Sequence, residues 1–168
     1  MRHVFKTLTL IAVFILQSGV CPYIEILGIA PNIVLATVII MALSSDFVEA
    51  GIYGGCAGVV MDICWGRVFG FHTLAFLYLA LAVRFFLEMT YKNTPTVTAG
   101  ITFVITLIYE MIYYFFSYVI WGEGVFLYAL LRIMIPTAAY TAAVQFLLYR
   151  PVIWASCVKL DERGRRVI

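Results

Sequence analysis

The chain has 168 residues, of which 64% are hydrophobic and only 12% are charged, and its formal net charge is +2. A water-soluble domain could not bury this much apolar surface, so the composition excludes a soluble protein and indicates an integral membrane protein. The apolar stretches are too long for the alternating strands of an outer-membrane barrel, which leaves an all-helical fold.

Six apolar segments, separated by polar and turn-forming residues, predict six membrane-spanning helices. Their connections are short, so we expect one transmembrane domain over residues 1–150 and a basic cytoplasmic tail over residues 151–168. The predicted fold is an all-α integral membrane protein, a six-helix transmembrane bundle. The predicted spans are Val4–Val20, Pro31–Leu43, Phe47–Trp65, Phe71–Leu87, Val97–Trp121 and Val125–Tyr149.

The first two spans carry ambiguous signals. The first resembles a secretory signal that ends in LQSGVC, but the residues before Cys21 do not fit a lipoprotein cleavage box, and we interpret it as a retained span. The second begins at Pro31 and is only about 20 Å long to Leu43, whereas the hydrocarbon core is about 30 Å thick. Either it continues to Asp46, or spans two and three form a re-entrant hairpin. The polar turn SSD favours two crossings.

The third span contains a face of glycines. Gly51, Gly55, Gly58 and Asp62 stand at offsets of 0, 4, 7 and 11 residues and point in similar directions on a helix, with Gly54 at the edge. The pairs Gly51/Gly55 and Gly54/Gly58 have the small-xxx-small spacing that lets helix backbones approach closely in lipid. We predict a helix-packing or partner interface here. Whether the neighbouring helix belongs to this chain, a partner or a second copy in a homodimer is left open.

Asp62 is an acidic residue inside this apolar run. In hydrocarbon it costs at least about 2.5 kcal/mol, so it should face protein or water and have a partner. The alternatives are an ion or proton site, a substrate contact, a partner-facing anchor and a structural ion pair. We favour the ion pair, with Arg132 of the sixth span, because both residues lie toward the outer side in the predicted topology.

Glu110 lies within the fifth span, with Tyr113, Tyr114 and Tyr118 on nearby turns. The alternatives are a polar pocket, a proton-carrying site or a protonated or hydrogen-bonded carboxyl inside the bundle, and the last is favoured. No nucleophile, base and orienting group occur together, and the cysteines lack metal-ligand spacing. We therefore predict no enzymatic activity, no cofactor and no metal site.

The distribution of basic residues predicts the orientation. Most lysines and arginines fall at one set of span ends, together with both termini. By the positive-inside rule both termini are cytoplasmic, in a multi-pass protein of the cytoplasmic (inner) membrane. The basic tail either contacts anionic membrane lipid or is a solvated tail of no further function, and the second alternative is favoured.

Several motifs together resemble the MreD family of rod-shape-determining membrane proteins. They are LQSGVCP at the end of the first span, GIAPNIVLATVI at the start of the second, the spacing G-x-x-x-G-x-x-x-x-x-x-D-x-x-x-G-x-x-x-G from Gly51, and FHTLAFLYLA after it. Asn32 departs from the pattern, because many members have aspartate after the proline. Asp62, Gly66 and Gly70 match the motif, and we expect them to shape the outer ends of spans three and four, where a partner could dock.

The resemblance implies a non-enzymatic scaffold of the bacterial elongation machinery, needed for rod shape. It implies binding of an MreC-like bitopic membrane protein, in a complex with a RodA-type glycosyltransferase and a class B penicillin-binding transpeptidase, with MreB as an indirect partner. Such a scaffold would position or activate sidewall peptidoglycan synthesis, without a nucleic-acid partner. The family is also similar to the substrate-binding subunits of energy-coupling-factor transporters. The alternative function is a small-solute or lipid-binding transporter subunit that uses Glu110, Asp62 and Arg132.

Overall fold

The computed structural model describes residues 2–25, 28–66, 70–87, 95–119 and 126–155. These residues form six helices. Among the predicted features, the span ends at Trp121 and Val125 and the tail from residue 156 onward lie outside the described residues. The helices are α1 (Arg2–Gly19), α2 (Ile33–Ser44), α3 (Phe47–Trp65), α4 (Phe71–Leu87), α5 (Pro95–Tyr114, continued by a π-helical segment Phe115–Val119) and α6 (Phe126–Ala129, a π-helical segment Leu130–Met134, and Ile135–Ala155).

The prediction of an all-helical membrane protein is confirmed. Four helices, α1, α3, α5 and α6, are long and apolar enough to cross a membrane, and α2 and α4 are shorter apolar helices. The bounds of α3 and α4 are the predicted ones. The likeness of the bundle to energy-coupling-factor subunits stays a prediction.

Helix α2 lies at the centre of the bundle, and all 12 of its residues are buried. It is about 18 Å long, shorter than the hydrocarbon core. The side chain of Asn32 caps its first turn by accepting a hydrogen bond from the Leu35 N–H at 2.9 Å. In addition, the Asn32 N–H donates to Thr141 Oγ1 of α6 at 3.0 Å. Protein groups thus replace the water that these backbone donors would otherwise need.

Helix α1 packs along one face of α2 and makes hydrogen bonds at or beside both ends of it. Lys6 and Gln17 lie 11 residues apart, three turns on one face, with the buried Leu10 and Val13 between them. Gln17 Oε1 accepts from the Ile33 N–H at 2.9 Å at the start of α2. At the other end, the fully buried Lys6 ammonium lies beside the turn that follows α2. Its positive charge interacts favourably there with the negative end of the α2 helix dipole.

Helix α6 contains two prolines. Pro136 has no backbone N–H to donate, and a π-helical segment precedes it. One residue later, Thr137 Oγ1 donates to the Ile133 C=O at 2.7 Å. Pro151 stands inside the helix, which continues to Ala155. The helix thus extends past residue 151, where the tail was predicted to begin.

Candidate functional site

The carboxylate of Asp62, near the end of α3, caps the beginning of α4. Its Oδ1 accepts the N–H of His72 at 2.9 Å, and its Oδ2 accepts both the N–H and the hydroxyl of Thr73, at 2.9 and 2.5 Å. The first N–H groups of a helix lack intrahelical partners and carry partial positive charge, so a carboxylate is favourable there. Asp62 is only 4% exposed. Three donors therefore offset the cost of its burial.

Two glycines bring the backbones of α3 and α4 into contact. A Cβ on Gly58 would overlap the His72 carbonyl oxygen and the Thr73 Cα. A Cβ on Gly54 would lie 2.7 Å from the Phe76 carbonyl oxygen, also closer than real Cβ atoms come. These obstacles are backbone atoms, which cannot rotate away. Both positions thus require glycine for α4 to approach closely enough for the Asp62 cap to form.

Gly51 and Gly55 are less tightly enclosed. A Cβ on Gly51 would meet the Leu81 side chain at 3.1 Å, and one on Gly55 would meet the Leu77 side chain at an ordinary 3.5 Å. The helix that faces the glycines is therefore α4 of the same chain, which answers the question left open by the sequence. Because α4 covers Gly54 and Gly58, a homodimer that packs through these two glycines would have to displace it.

Gly66 and Gly70 belong to the connection between α3 and α4. The Gly66 N–H donates to the Asp62 C=O at 3.1 Å as α3 ends, and a Cβ on Gly66 would press against the backbone of Asp62. Gly70 has φ +90°, a conformation that favours glycine, immediately before α4. We call Gly54, Gly58, Asp62, Gly66, Gly70 and the His72 and Thr73 donors the α3–α4 lock.

Comparison with known families decides the identity of the chain. The model of the family described as rod shape-determining protein MreD matches residues 1–156. The chain belongs to the MreD family. No curated protein and no solved structure gives a significant match. The family is one of structural, shape-determining membrane proteins. The α3–α4 lock is therefore a contact between two helices of a rod shape-determining protein.

In this MreD family member the predicted ion pair between Asp62 and Arg132 is absent, and that prediction was wrong. Both Asp62 oxygens are taken by the start of α4. Arg132 is exposed on α6, and its Cζ lies 5.5 Å from the ring centroid of Tyr128. The physical reason is that backbone N–H groups at a helix start satisfy a buried carboxylate without a counter-charge.

Glu110 lies close to the tyrosines that follow it in the sequence, as predicted from their spacing. It lines a cavity of about 290 Å³ together with Tyr113, Tyr114 and Tyr118. Asp62 does not line this cavity, and Arg132 lies in an adjacent open groove on the other side of Tyr128. The three charged residues that the transporter alternative combined are thus distributed over three places.

A polar cluster at the other end of α3 was missed by the sequence interpretation. The Lys6 ammonium donates to Ser45 Oγ at 2.7 Å and to Glu49 Oε2 at 2.8 Å. His3 adds contacts to Glu49 Oε1 at 3.7 Å and to the Tyr53 hydroxyl at 3.3 Å. This cluster joins the start of α1 to the α2–α3 turn. The spacing of Lys6 and Gln17 on one apolar face of α1 was the available signal.

His72 links the lock to α5 and was also missed. Its Nδ1 lies 2.6 Å from the Tyr109 hydroxyl, and its ring stacks on Tyr113 with centroids 5.2 Å apart. The start of α4 is therefore held by α3 on one side and by α5 on the other. This pairing could not be predicted from the sequence, because His72 and Tyr109 are 37 positions apart and their spacing matches no known catalytic arrangement.

Proposed function

We propose that this chain is a non-enzymatic scaffold of the bacterial elongation machinery in the cytoplasmic membrane, with both termini in the cytoplasm. The observation that carries the proposal is the family match over residues 1–156. The scaffold would bind an MreC-like bitopic protein and thereby position or activate sidewall peptidoglycan synthesis. A RodA-type glycosyltransferase and a class B penicillin-binding transpeptidase would share the complex, and MreB would join it indirectly.

The chemistry of the α3–α4 lock supports a scaffold. The three hydrogen bonds that the Asp62 carboxylate makes among the described residues go to His72 and Thr73 at the start of α4, so the carboxylate joins two helices. A rigid pair of helices is what a surface for partner proteins needs, because little conformational entropy is lost on binding.

We assign the docking of the MreC-like protein to the groove between α4 and α5. This groove has a volume of about 550 Å³ and is lined by apolar and aromatic residues, among them Gly70, Leu74, Ala75, Leu79 and Ala82. On α4 these lining residues recur at three- and four-residue spacing, which suits a packed transmembrane helix. Gly70 belongs to the lock, so the groove continues the outer end of spans three and four.

Copurification tests the docking. Ala75→Trp should fill the groove and abolish capture of the MreC-like protein, whereas the matched variant Ala143→Trp, on an exposed position of α6, should leave capture intact. Both variants should be extracted from membranes in wild-type amounts. Equal capture by the two variants would remove the groove from the proposal.

Depletion tests the function itself. Loss of the protein should turn rod-shaped cells round without a defect in the uptake of small solutes. Cells that keep their shape but fail to take up a solute would instead support the transporter alternative.

A further inference from the structure

We infer that the cavity beside Glu110 binds an organic ammonium group. The cavity, of about 290 Å³, lies between α5 and α6. Its volume is near the lower end of small-molecule pockets and could hold roughly ten water molecules, so a compact ligand fits. This inference does not depend on the scaffold function. The residues that carry it are Glu110, Tyr113, Tyr114, Tyr118, Tyr128 and Met134.

The carboxylate of Glu110 is the first argument. Among the residues that the structure describes, it makes no hydrogen bond or ion pair, whereas Asp62 and Glu49 have theirs. A carboxylate within a transmembrane helix is costly unless it is paired, and intramembrane ionisable groups usually mark a functional site. A cation in the cavity would supply the partner that the protein itself does not.

The tyrosines are the second argument. Aromatic rings attract cations through their negative faces, and cages of such rings are the usual recognition site for ammonium groups. The rings of Tyr114 and Tyr118 are stacked with centroids 5.2 Å apart and form one wall. Tyr128, on the opposite helix, already interacts with the Arg132 guanidinium at 5.5 Å. The phenol hydroxyls can also accept hydrogen bonds from an ammonium N–H.

The walls of the cavity are the third argument. Both helices that border it change to π-helical geometry there, over Phe115–Val119 in α5 and Leu130–Met134 in α6. Tyr118 lies in the first segment, and Met134 lies in the second. Such π-helical turns are rare and often occur at functional sites, since they redirect side chains that a regular helix would place elsewhere.

Two sources could supply the ammonium group: a free amine, or the ethanolamine headgroup of a membrane lipid. The first experiment uses the purified full chain in detergent, choline, and the uncharged carbon isostere of choline, 3,3-dimethylbutan-1-ol, with binding followed by calorimetry. The quaternary ammonium of choline has no N–H and would be held by its charge, through attraction to Glu110 and contact with the tyrosine faces, and the isostere lacks that charge. We therefore expect choline to bind at least about tenfold more tightly than the isostere. Equal binding of the two compounds would overturn the inference without any variant.

Variants locate the site. Glu110→Gln, which preserves shape, should weaken choline binding by roughly tenfold or more, and Tyr118→Leu by about threefold to thirtyfold. Matched controls are Glu25→Gln and Tyr78→Leu, which remove the same groups outside the cavity and should bind choline as the wild type does. Wild-type affinity in both cavity variants would overturn the inference. The unfolding midpoint without ligand verifies that each variant is folded.

The second experiment identifies the source. The chain is taken from nanodiscs that contain equal amounts of phosphatidylethanolamine and phosphatidylglycerol, and retained lipid is counted by native mass spectrometry. Preferential retention of phosphatidylethanolamine that Glu110→Gln abolishes identifies the lipid headgroup. Choline binding with no such preference identifies a free amine. Failure of both measurements refutes the ammonium site.

Discussion

Gly58 and Gly55 lie on the same helix, three residues apart, but their surroundings differ. A Cβ on Gly58 would overlap backbone atoms of His72 and Thr73, whereas one on Gly55 would make an ordinary 3.5 Å contact with the Leu77 side chain. Gly58→Ala should therefore destabilise the protein, and Gly55→Ala should not. The two variants are matched in chemistry, so they isolate the close contact between α3 and α4.

The magnitude follows from three contributions. Replacing a helical glycine by alanine gains about 1 kcal/mol at either position. At position 58 this gain is opposed by about 2 kcal/mol of overpacking against backbone and about 1 kcal/mol of weakened capping by Asp62. We thus expect Gly58→Ala to lose about 2 kcal/mol and Gly55→Ala to gain about 1 kcal/mol, a difference of about 3 kcal/mol between them.

The assay is reversible unfolding in mixed micelles, followed by circular dichroism as the mole fraction of sodium dodecyl sulfate increases. Gly58→Ala should unfold at a lower fraction than the wild type, and Gly55→Ala at the same or a higher fraction. If the two variants unfold together, α4 does not depend on the missing Cβ of residue 58, and the reasoning is refuted.

Three further outcomes are expected in the same assay. Asp62→Ala should lower the free energy of unfolding by about 1 to 2 kcal/mol, because the cap of α4 is lost. Its effect should add to that of Arg132→Ala within about 0.5 kcal/mol, since the two residues do not touch, whereas a large coupling energy would be evidence for an ion pair between them. Lys6→Met should cost about 3 to 5 kcal/mol, because it removes an ammonium group that lies 2.8 Å from the Glu49 carboxylate, and an effect below 1 kcal/mol would contradict this. Gln17→Leu should cost about 1 to 3 kcal/mol, because the first N–H of α2 loses its acceptor, and an unchanged midpoint would show that another group satisfies it.

The ends of a helix could be predicted from the sequence where polar or turn-forming residues interrupt the apolar runs. Helices α3 and α4 have the predicted bounds, Phe47–Trp65 and Phe71–Leu87, because the SSD turn and a glycine-containing connection interrupt continuous apolar runs. A proline was a less useful marker, because Pro151 is typical of a helix end and yet lies inside α6, which continues to Ala155. A proline costs one backbone hydrogen bond, which packing against neighbouring helices can offset.

The hydrogen-bond partners of the buried polar residues were harder to predict from the sequence. The partner of Asp62 could not be found by matching charges, because its donors are mainly backbone N–H groups, which every residue other than proline carries. Lys6 was interpreted as a marker of orientation, whereas it is fully buried and bonded to residues about 40 positions away. Contacts at such separations depend on how the helices pack, and a single sequence does not record that packing.

The position of α2 has a consequence for how the protein is made. One of its N-terminal groups, the Asn32 N–H, is satisfied by Thr141, a residue 109 positions later in the chain. During synthesis, α2 leaves the ribosome long before that partner exists, and its length of about 18 Å does not match the bilayer on its own. The second helix can therefore gain its full set of hydrogen bonds only after the last helix has been made, so the packing of the bundle is completed late in synthesis.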